Sequence, residues 1–219
     1  MIKDNVEKLL KTIPRQVSVV AAAKTRTGPE IIQAIEAGIG IIGENYVQEA
    51  RDRINEVGRG AKWHFIGRLQ KNKVKKAVEL FDMIESVDSV ETASELDRRC
   101  AEAKRTMEAL LEVNSGREEQ KSGFLPEEIE AALGKLAGLN NIKIMGLMTM
   151  GPGSGQAETE EGFRLTRRLF EDMGKLQIDN IRMKYLSMGM SDSYLLAIGE
   201  GANLVRIGTL IFGERGRKL

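Results

Sequence analysis

The sequence predicts an α/β fold, a single (β/α)8 TIM-type barrel with one extra helix at its N-terminus. Short apolar runs, each suited to one buried strand, alternate along the chain with longer segments whose apolar residues recur at helical spacing. Strands that alternate with helices pair in parallel through right-handed crossovers. About eight such units occur in 219 residues, a length at which single α/β barrels are common. We therefore treat residues 1–219 as one barrel domain; the alternative, an open doubly wound sheet, would be unusual without a Gly-x-Gly-x-x-Gly opening.

Each element has its own local signal. An amphipathic segment over residues 2–13 predicts the N-terminal helix. Pro29 stands where the first turn of a helix tolerates proline, and Ile31 and Ile35 give that helix an apolar face. The G-P-G-S-G run at 151–155 predicts a flexible loop after the sixth strand. The eight predicted strands span residues 17–23, 39–43, 63–66, 83–87, 107–113, 142–148, 183–188 and 204–207.

The composition is that of an ordinary globular protein and excludes several classes of function. Apolar residues make up 42% and charged residues 30%, and the formal net charge of +1 gives no global attraction to nucleic acid or a lipid surface. The lysines between 71 and 76 are interpreted as a solvated helix face. No apolar run approaches the ~18 residues of a membrane span, and the charged N-terminus is unlike a signal peptide. Cys100 is the single cysteine, so we expect a buried inert thiol, no disulfide, no metal site and a cytoplasmic location.

Polar residues collect where the predicted strands end, which is the face of a barrel that carries function. Lys24 follows a strand of small and branched residues. A lysine there would direct its amine into the barrel mouth, where desolvated amines attack aldehydes and ketones. The alternative, a lysine that begins a solvated loop, agrees equally well with position alone. The other polar strand ends are Glu44, Asn45, His64, Ser86, Asn114, Ser187, Ser191 and residues 206–209.

Two loops near the C-terminus predict a phosphate site. Barrel enzymes often bind phosphate with the loops after strands seven and eight and the start of a short helix. Here S-M-G-M-S-D at 187–192 follows the seventh strand, and R-I-G-T at 206–209 closes the eighth. Glycines expose backbone N–H groups, hydroxyls add donors, and a helix N-terminus favours an anion. Ordinary turn chemistry with a capping serine and threonine is the alternative.

The single histidine and the methionines near the strand ends are explained more simply by core packing than by catalysis or cofactor binding. His64 is the single histidine, and we interpret it as a hydrogen-bonded core residue rather than an acid–base catalyst. Methionines near the strand ends could line a cofactor, although core packing explains them more simply. They stand at 145, 148, 150, 188 and 190.

Several stretches of the chain together resemble one known family. They occur in that family's order and span nearly the whole chain, so the combination is highly specific. The stretches are A-A-K-T at 22–25, G-E-N-Y-V-Q-E at 43–49, W-H-F-I-G-R-L-Q-K-N-K at 63–73, V-N at 113–114 with K-S-G-F at 121–124, G-L-M-T-M at 146–150, L-S-M-G-M-S at 186–191, and V-R-I-G-T at 205–209 with I-F-G at 211–213. On these motifs the chain resembles the YggS/PROSC family.

The resemblance implies a barrel like the N-terminal domain of the alanine racemases, with pyridoxal 5′-phosphate (PLP) bound in its mouth. In that family the lysine that matches Lys24 forms a Schiff base with the cofactor. Arg206 matches the arginine that faces the pyridine nitrogen. Asn45 and Met188 match positions that line the site.

The resemblance also implies how the phosphate is held and where this chain departs from its relatives. Ser191 matches the loop serine of the cradle, and the backbone around Gly208 and Thr209 completes it. Many relatives have serine where Ala23 stands and histidine where Glu85 stands. Neither departure touches the Schiff base or the phosphate cradle.

The resemblance favours a carrier or regulator over an enzyme, and no catalytic residue is assigned. PLP is the stronger electron sink when its ring nitrogen is protonated, whereas a guanidinium only donates hydrogen bonds, so Arg206 would keep that nitrogen unprotonated. Alanine racemases add a tyrosine base from a second domain on the face opposite the lysine. This chain ends at Leu219, so we expect that domain to be absent, and Tyr46, Tyr185 and Tyr194 lie in no racemase-like motif.

The function implied is intracellular PLP homeostasis, which affects the balance of amino acids and keto acids. The expected partners are PLP, small amino acids and, transiently, PLP-dependent apo-enzymes, with the chain itself a monomer. A slow PLP-dependent racemase or lyase of small amino acids is one alternative. A Schiff-base aldolase of phosphosugars is another, because it also needs a barrel, a lysine and a phosphate site.

Overall fold

Eight parallel strands close into a barrel in the computed structural model, which describes residues 1–153 and 155–214. The strands pair in chain order, and the last strand pairs with the first. This confirms the predicted barrel, and each predicted strand overlaps an observed one. The strands are β1 (Ser18–Ala22), β2 (Ile41–Glu44), β3 (Lys62–Phe65), β4 (Met83–Val87), β5 (Met107–Glu112), β6 (Ile142–Met148), β7 (Ile181–Ser187) and β8 (Leu204–Ile207).

Helices connect successive strands and surround the barrel. Each crossover contains at least one helix, and the predicted N-terminal helix is present. Within the described ranges, none of them combines the length and the apolar character needed to cross a membrane. The helices are α1 (Ile2–Thr12), α2 (Gly28–Glu36), α3 (Val47–Val57), α4 (Val74–Leu80), α5 (Val90–Glu102), α6 (Ile129–Leu136), α7 (Gln156–Met173), α8 (Tyr194–Gly199) and α9 (Thr209–Phe212), with short 3-10 helices at Lys71–Lys73 and Pro126–Glu128.

The extra helix α1 packs where the first and last units of the barrel meet. Its apolar face buries Ile2, Val6 and Leu9, and the helix contacts both α2 and α9. Asn5 Nδ2 donates a hydrogen bond to the carbonyl oxygen of Ile211 at 3.0 Å. Because α2 follows β1 and α9 follows β8, α1 covers the seam at which the barrel closes.

The barrel interior is apolar in its lower part and polar above. Val20, Met83, Leu110 and Leu204 belong to an apolar cluster contributed by several strands, separate from the larger cluster between strands and helices. Side chains along a strand alternate between the two faces of the sheet. The residue two positions after Leu204 therefore also points inward, and this is Arg206.

Two plain interpretations from the sequence hold in the structure. Cys100 is buried on α5, where burial raises the pKa of its thiol to about 11, as an inert cysteine requires. Lys71 is exposed on the 3-10 helix Lys71–Lys73, and Lys75 and Lys76 are exposed on the first turn of α4. Residue 154 of the predicted loop at 151–155 and residues 215–219 of the predicted domain lie outside the described residues.

Glu44 is a buried carboxyl group on the outer side of the barrel wall. It is 1% exposed, and its Oε2 has no hydrogen-bond partner in the described parts of the chain. Burial raises its pKa to about 7, and the nearby carboxylate of Glu49 adds to the rise. The backbone of Asn45 and the guanidinium of Arg53 oppose this shift without cancelling it. At pH values between the ordinary pKa of a glutamate and about 7, Glu44 is therefore protonated in the folded protein and ionised in the unfolded chain.

We expect Glu44→Gln to stabilise the protein at pH 8 and to leave its stability nearly unchanged at pH 5. A carboxyl whose pKa is raised on folding stabilises the fold below its ordinary pKa, and that contribution is lost as the pH rises through about 7. The loss is about 3 kcal/mol, whereas glutamine stays neutral throughout. Urea unfolding at the two pH values measures the difference. Glu7→Gln, on the exposed face of α1, is the control; an equal effect of Glu44→Gln at both pH values would contradict the account.

Candidate cofactor site

Lys24 stands at the mouth of the barrel, just beyond β1. The N–H of Ala23 still donates to the carbonyl oxygen of Gly43 at 2.9 Å, so the ladder fixes the chain up to the lysine. Thr25 then adopts a left-handed conformation, with φ of 67°, and turns the chain away. Lys24 is half-buried, and its Nζ lies 5.2 Å from the centre of the Tyr46 ring, whose face attracts a cation. The lysine therefore faces the mouth rather than a solvated loop.

A cavity of about 250 Å³ opens beside Lys24 and brings together most of the predicted site residues. Five of the seven predicted residues line it: Lys24, Asn45, Arg206, Gly208 and Thr209. The remaining lining residues are Met150 and Met190, two of the methionines that the sequence offered as cofactor-lining candidates, and Ala22, Arg26 and Ile66.

The other two predicted residues, Ser191 and Met188, lie outside the cavity lining. Ser191 Oγ accepts hydrogen bonds from the backbone N–H groups of Gly208 at 3.3 Å and Leu210 at 3.5 Å, so it lies against the cavity wall. Met188 is fully buried in the cluster between strands and helices. The structure thus places Met190, two residues further on, where the sequence suggested Met188.

The loops after β7 and β8 are fixed to each other beside the cavity. The N–H of Arg206 donates to the carbonyl oxygen of Gly189 at 3.0 Å. Gly189 has a φ of +90°, and a Cβ there would lie 2.5 Å from the Cβ of Ala197, so glycine is required at this turn. This turn directs the following loop toward α9 and brings the Ser191 hydroxyl to the N–H groups of the β8 loop.

A chain of buried polar side chains, here called the polar layer, crosses the barrel beneath the cavity. Arg206 Nη1 donates to Ser187 Oγ at 2.6 Å, and Ser187 Oγ donates to Glu85 Oε2 at 2.6 Å. The other oxygen of Glu85 lies 2.7 Å from Nδ1 of His64. These four residues come from β8, β7, β4 and β3. His64 is therefore a hydrogen-bonded core residue, as the sequence indicated.

The electrostatics of the polar layer favour an ion pair bridged by a hydroxyl. Burial alone would raise the pKa of Glu85, but hydrogen bonds from His64 and Ser187 and the charge of Arg206 outweigh it and hold that pKa below its usual range. Burial lowers the pKa of Arg206, while the carboxylates of Glu85 and Glu112 oppose the shift. A guanidinium stays protonated in proteins, so Arg206 is a cation in the floor of the cavity.

A second, larger cavity of about 720 Å³ adjoins the first and shares Met150 and Met190 with it. Lys121 and Glu112 are among its lining residues. Lys121 Nζ donates to the carbonyl oxygen of Gly151 at 2.9 Å and pairs with Glu118. Burial, with help from Asp88, raises the pKa of Glu112. Glu112 thus presents a half-buried carboxyl group near the barrel mouth.

Sequence reasoning missed Glu85 and Glu112 as members of the site. A usable signal was present for Glu85, because a carboxylate within the otherwise buried run M-I-E-S-V needs a buried partner. For Glu112 the signal was its place at the end of a buried strand, the same signal that identified Lys24.

The donors around the cavity fit PLP. Lys24 supplies an amine that can condense with an aldehyde, and Arg206 supplies a cation for the ring nitrogen. The hydroxyl of Thr209 is a donor suited to a phosphate, and so is that of Ser191, whose oxygen accepts from the N–H groups of Gly208 and Leu210 and whose proton stays available.

Comparison with known proteins identifies the family. The family model described as the alanine racemase N-terminal domain matches residues 1–216. A relative from Synechocystis, named pyridoxal phosphate homeostasis protein, is 38% identical over 210 residues, covering 94% of this chain and 95% of the relative. A protein of the same name from Aquifex aeolicus is 40% identical over 200 residues, covering 90% of this chain and 86% of its own.

Solved structures extend the likeness to three dimensions. PipY of Synechococcus elongatus without PLP gives a TM-score of 0.92 at 36% identity, covering 97% of this chain and 100% of PipY. The structure of PipY with PLP bound gives 0.89 at the same identity and coverage. An alanine racemase from Clostridium difficile, 15% identical, shares the fold with a TM-score of 0.80 over 99% of this chain and 56% of its own. The chain therefore belongs to the alanine racemase N-terminal-domain family and, within it, to the pyridoxal phosphate homeostasis proteins.

Proposed function

We propose that the chain binds PLP in the cavity beside Lys24, holds it as a Schiff base on that lysine, and serves PLP homeostasis in the cytoplasm as a carrier or regulator. The observation that carries the proposal is the meeting of Lys24, Arg206 and Thr209 around one cavity at the barrel mouth. The names of the relatives and the PLP bound to PipY support it.

Each residue has a role set by its chemistry. The Lys24 amine condenses with the cofactor aldehyde, and the Arg206 guanidinium faces the ring nitrogen. Ser191, Gly208 and Thr209 hold the phosphate through hydroxyl and N–H donors. Two further residues complete the surroundings of the cofactor. Asn45 lines the cavity, and Met188 packs in the apolar core between strands and helices.

Arg206 is the reason to favour binding over turnover. Bound PLP supplies an electron sink, and that sink is weak when the ring nitrogen carries no proton. A guanidinium can donate to this nitrogen but has no proton to give up at neutral pH. We therefore propose a monomer that binds PLP, meets small amino acids, and releases the cofactor to PLP-dependent apo-enzymes, thereby affecting amino-acid and keto-acid balance.

One observation favours a second candidate function, a slow PLP-dependent amino-acid racemase. Glu112 ends β5, which lies across the closed eight-strand barrel from β1 and Lys24. It is half-buried, and burial raises its pKa above the ordinary range of a carboxyl, as expected of a group that can accept and return a proton. Glu112 could thus stand in for the second-domain tyrosine of the alanine racemases.

The phosphate cradle is tested by Ser191→Ala combined with Thr209→Ala. Each lost hydrogen bond to a charged group costs about 1.5–3 kcal/mol, so PLP should bind at least about tenfold more weakly. Pyridoxal, which has no phosphate, should bind as before. Absorbance titrations with both compounds measure this. Ser18→Ala, at the opposite end of β1, is the control; an equal loss of affinity for both compounds would refute the cradle.

Carrier and racemase are separated by α-proton exchange. In deuterated water, with near-stoichiometric protein and PLP, alanine should incorporate negligible α-deuterium by NMR, while the complex should restore activity to a PLP-dependent apo-enzyme. Lys24→Ala is the control for exchange by free PLP. Exchange at about one turnover per second would lie in the range of working enzymes and would support the racemase. Loss of that exchange in Glu112→Gln would then identify the base.

A further inference from the structure

Arg206 is a buried cation that has no carboxylate among its direct hydrogen-bond partners within residues 1–153 and 155–214. It is 3% exposed, and its Nη2 donates to the carbonyl oxygen of Thr149 at 2.8 Å and to Met150 Sδ at 3.4 Å. Its Nη1 donates to Ser187 Oγ. A buried charge is costly unless an opposite charge offsets it. The negative charge that offsets Arg206 must therefore lie beyond the groups that accept its hydrogen bonds.

Ser187 connects Glu85 to Arg206 through two hydrogen bonds. A hydroxyl has one proton, and that of Ser187 is donated to Glu85 Oε2. The lone pairs of Ser187 are consequently directed at Arg206 Nη1. Glu85 is fully buried, and its second oxygen is held by His64, so the carboxylate has no freedom to turn away.

We infer that Glu85 is a positioning residue for the cofactor ring, which acts through Ser187 to hold the Arg206 guanidinium in the cavity floor. The inference rests on the proposed function, because it takes Arg206 as the partner of the ring nitrogen. Glu85 itself does not line the cavity. It supplies the negative charge that balances Arg206 and fixes the direction of the Ser187 hydroxyl.

The charged surroundings of Arg206 indicate what happens when Glu85 is neutralised. The titratable groups around it are Glu85 and His64 within the polar layer, Glu112 on β5, and Lys24 and Arg26, which line the same cavity. In Glu85→Gln the amide oxygen can still accept from Ser187, but the charge is gone. The negative charge that balances Arg206 through Ser187 is then lost, while the carboxylate of Glu112 still attracts the guanidinium, so Arg206 is held less firmly in the cavity floor.

The test uses Glu85→Gln, Ser187→Ala and the double variant. Each single variant should bind PLP about tenfold or more weakly, and the double variant should bind no more weakly than the worse single variant, because both changes break one chain. The ¹⁵N chemical shift of ring-labelled PLP should stay at its unprotonated value across neutral pH in the wild type and should titrate in Glu85→Gln. A purely structural role would not change that shift.

Controls keep the outcomes distinct. Glu44→Gln removes another buried carboxyl from the barrel wall and should leave PLP affinity and the ¹⁵N shift unchanged. Ser187→Thr keeps the hydroxyl and should restore most of the affinity for PLP that is lost in Ser187→Ala. If Glu85→Gln does not fold, the comparison of these two Ser187 variants still tests the inference. If Arg206→Ala binds PLP as tightly as the wild type, the proposed role of Arg206 fails. If Arg206→Ala weakens binding but Glu85→Gln and Ser187→Ala do not, only the present inference is overturned.

Discussion

The pairing of β8 with β1 is the constraint on which the site depends. It places Val20 opposite Arg206 and so brings residues from the two ends of the chain to one side of the barrel mouth. Lys24, four residues beyond Val20, and Thr209, three beyond Arg206, then line the same cavity. Helix α1 covers this seam through its contacts with α2 and α9. A chain that failed to close would separate the amine from the phosphate donors, whatever their individual chemistry.

Closure also buries the guanidinium of Arg206, and a buried charge is energetically costly unless it is paired. Most eight-stranded barrels fill the interior with branched apolar side chains, and the lower part of this barrel does the same. Above it, Arg206, Ser187, Glu85 and His64 form one buried hydrogen-bonded chain that has Arg206 at the floor of the cavity. A fully connected polar network can fix one arrangement of a core, while a broken one leaves a buried charge unpaired. The polar layer therefore couples the stability of the barrel interior to the geometry of the cofactor site.

Much of this could be predicted from sequence, because strand periodicity and strand-end polarity are local properties. The barrel, and the positions of Lys24 and of the β7 and β8 loops at its mouth, follow from such patterns. Such patterns do not show that Met190 rather than Met188 lines the cavity, because the left-handed turn at Gly189 changes which side chains face it. Nor could the contact between Glu85 and Ser187 be predicted, since it depends on which strands present inward side chains at the same height across the barrel.

The central claim is that Lys24 carries the cofactor, and trapping the adduct tests it most directly. The wild-type complex with PLP is reduced with borohydride, digested, and mapped by mass spectrometry, beside Lys24→Ala treated identically. The variant should fold normally, since a strand-end substitution should change stability by less than about 1 kcal/mol. We expect one reduced pyridoxyl adduct, on the peptide that contains Lys24, and none in the variant. An adduct of equal yield on another lysine in both proteins would contradict the assignment of the site.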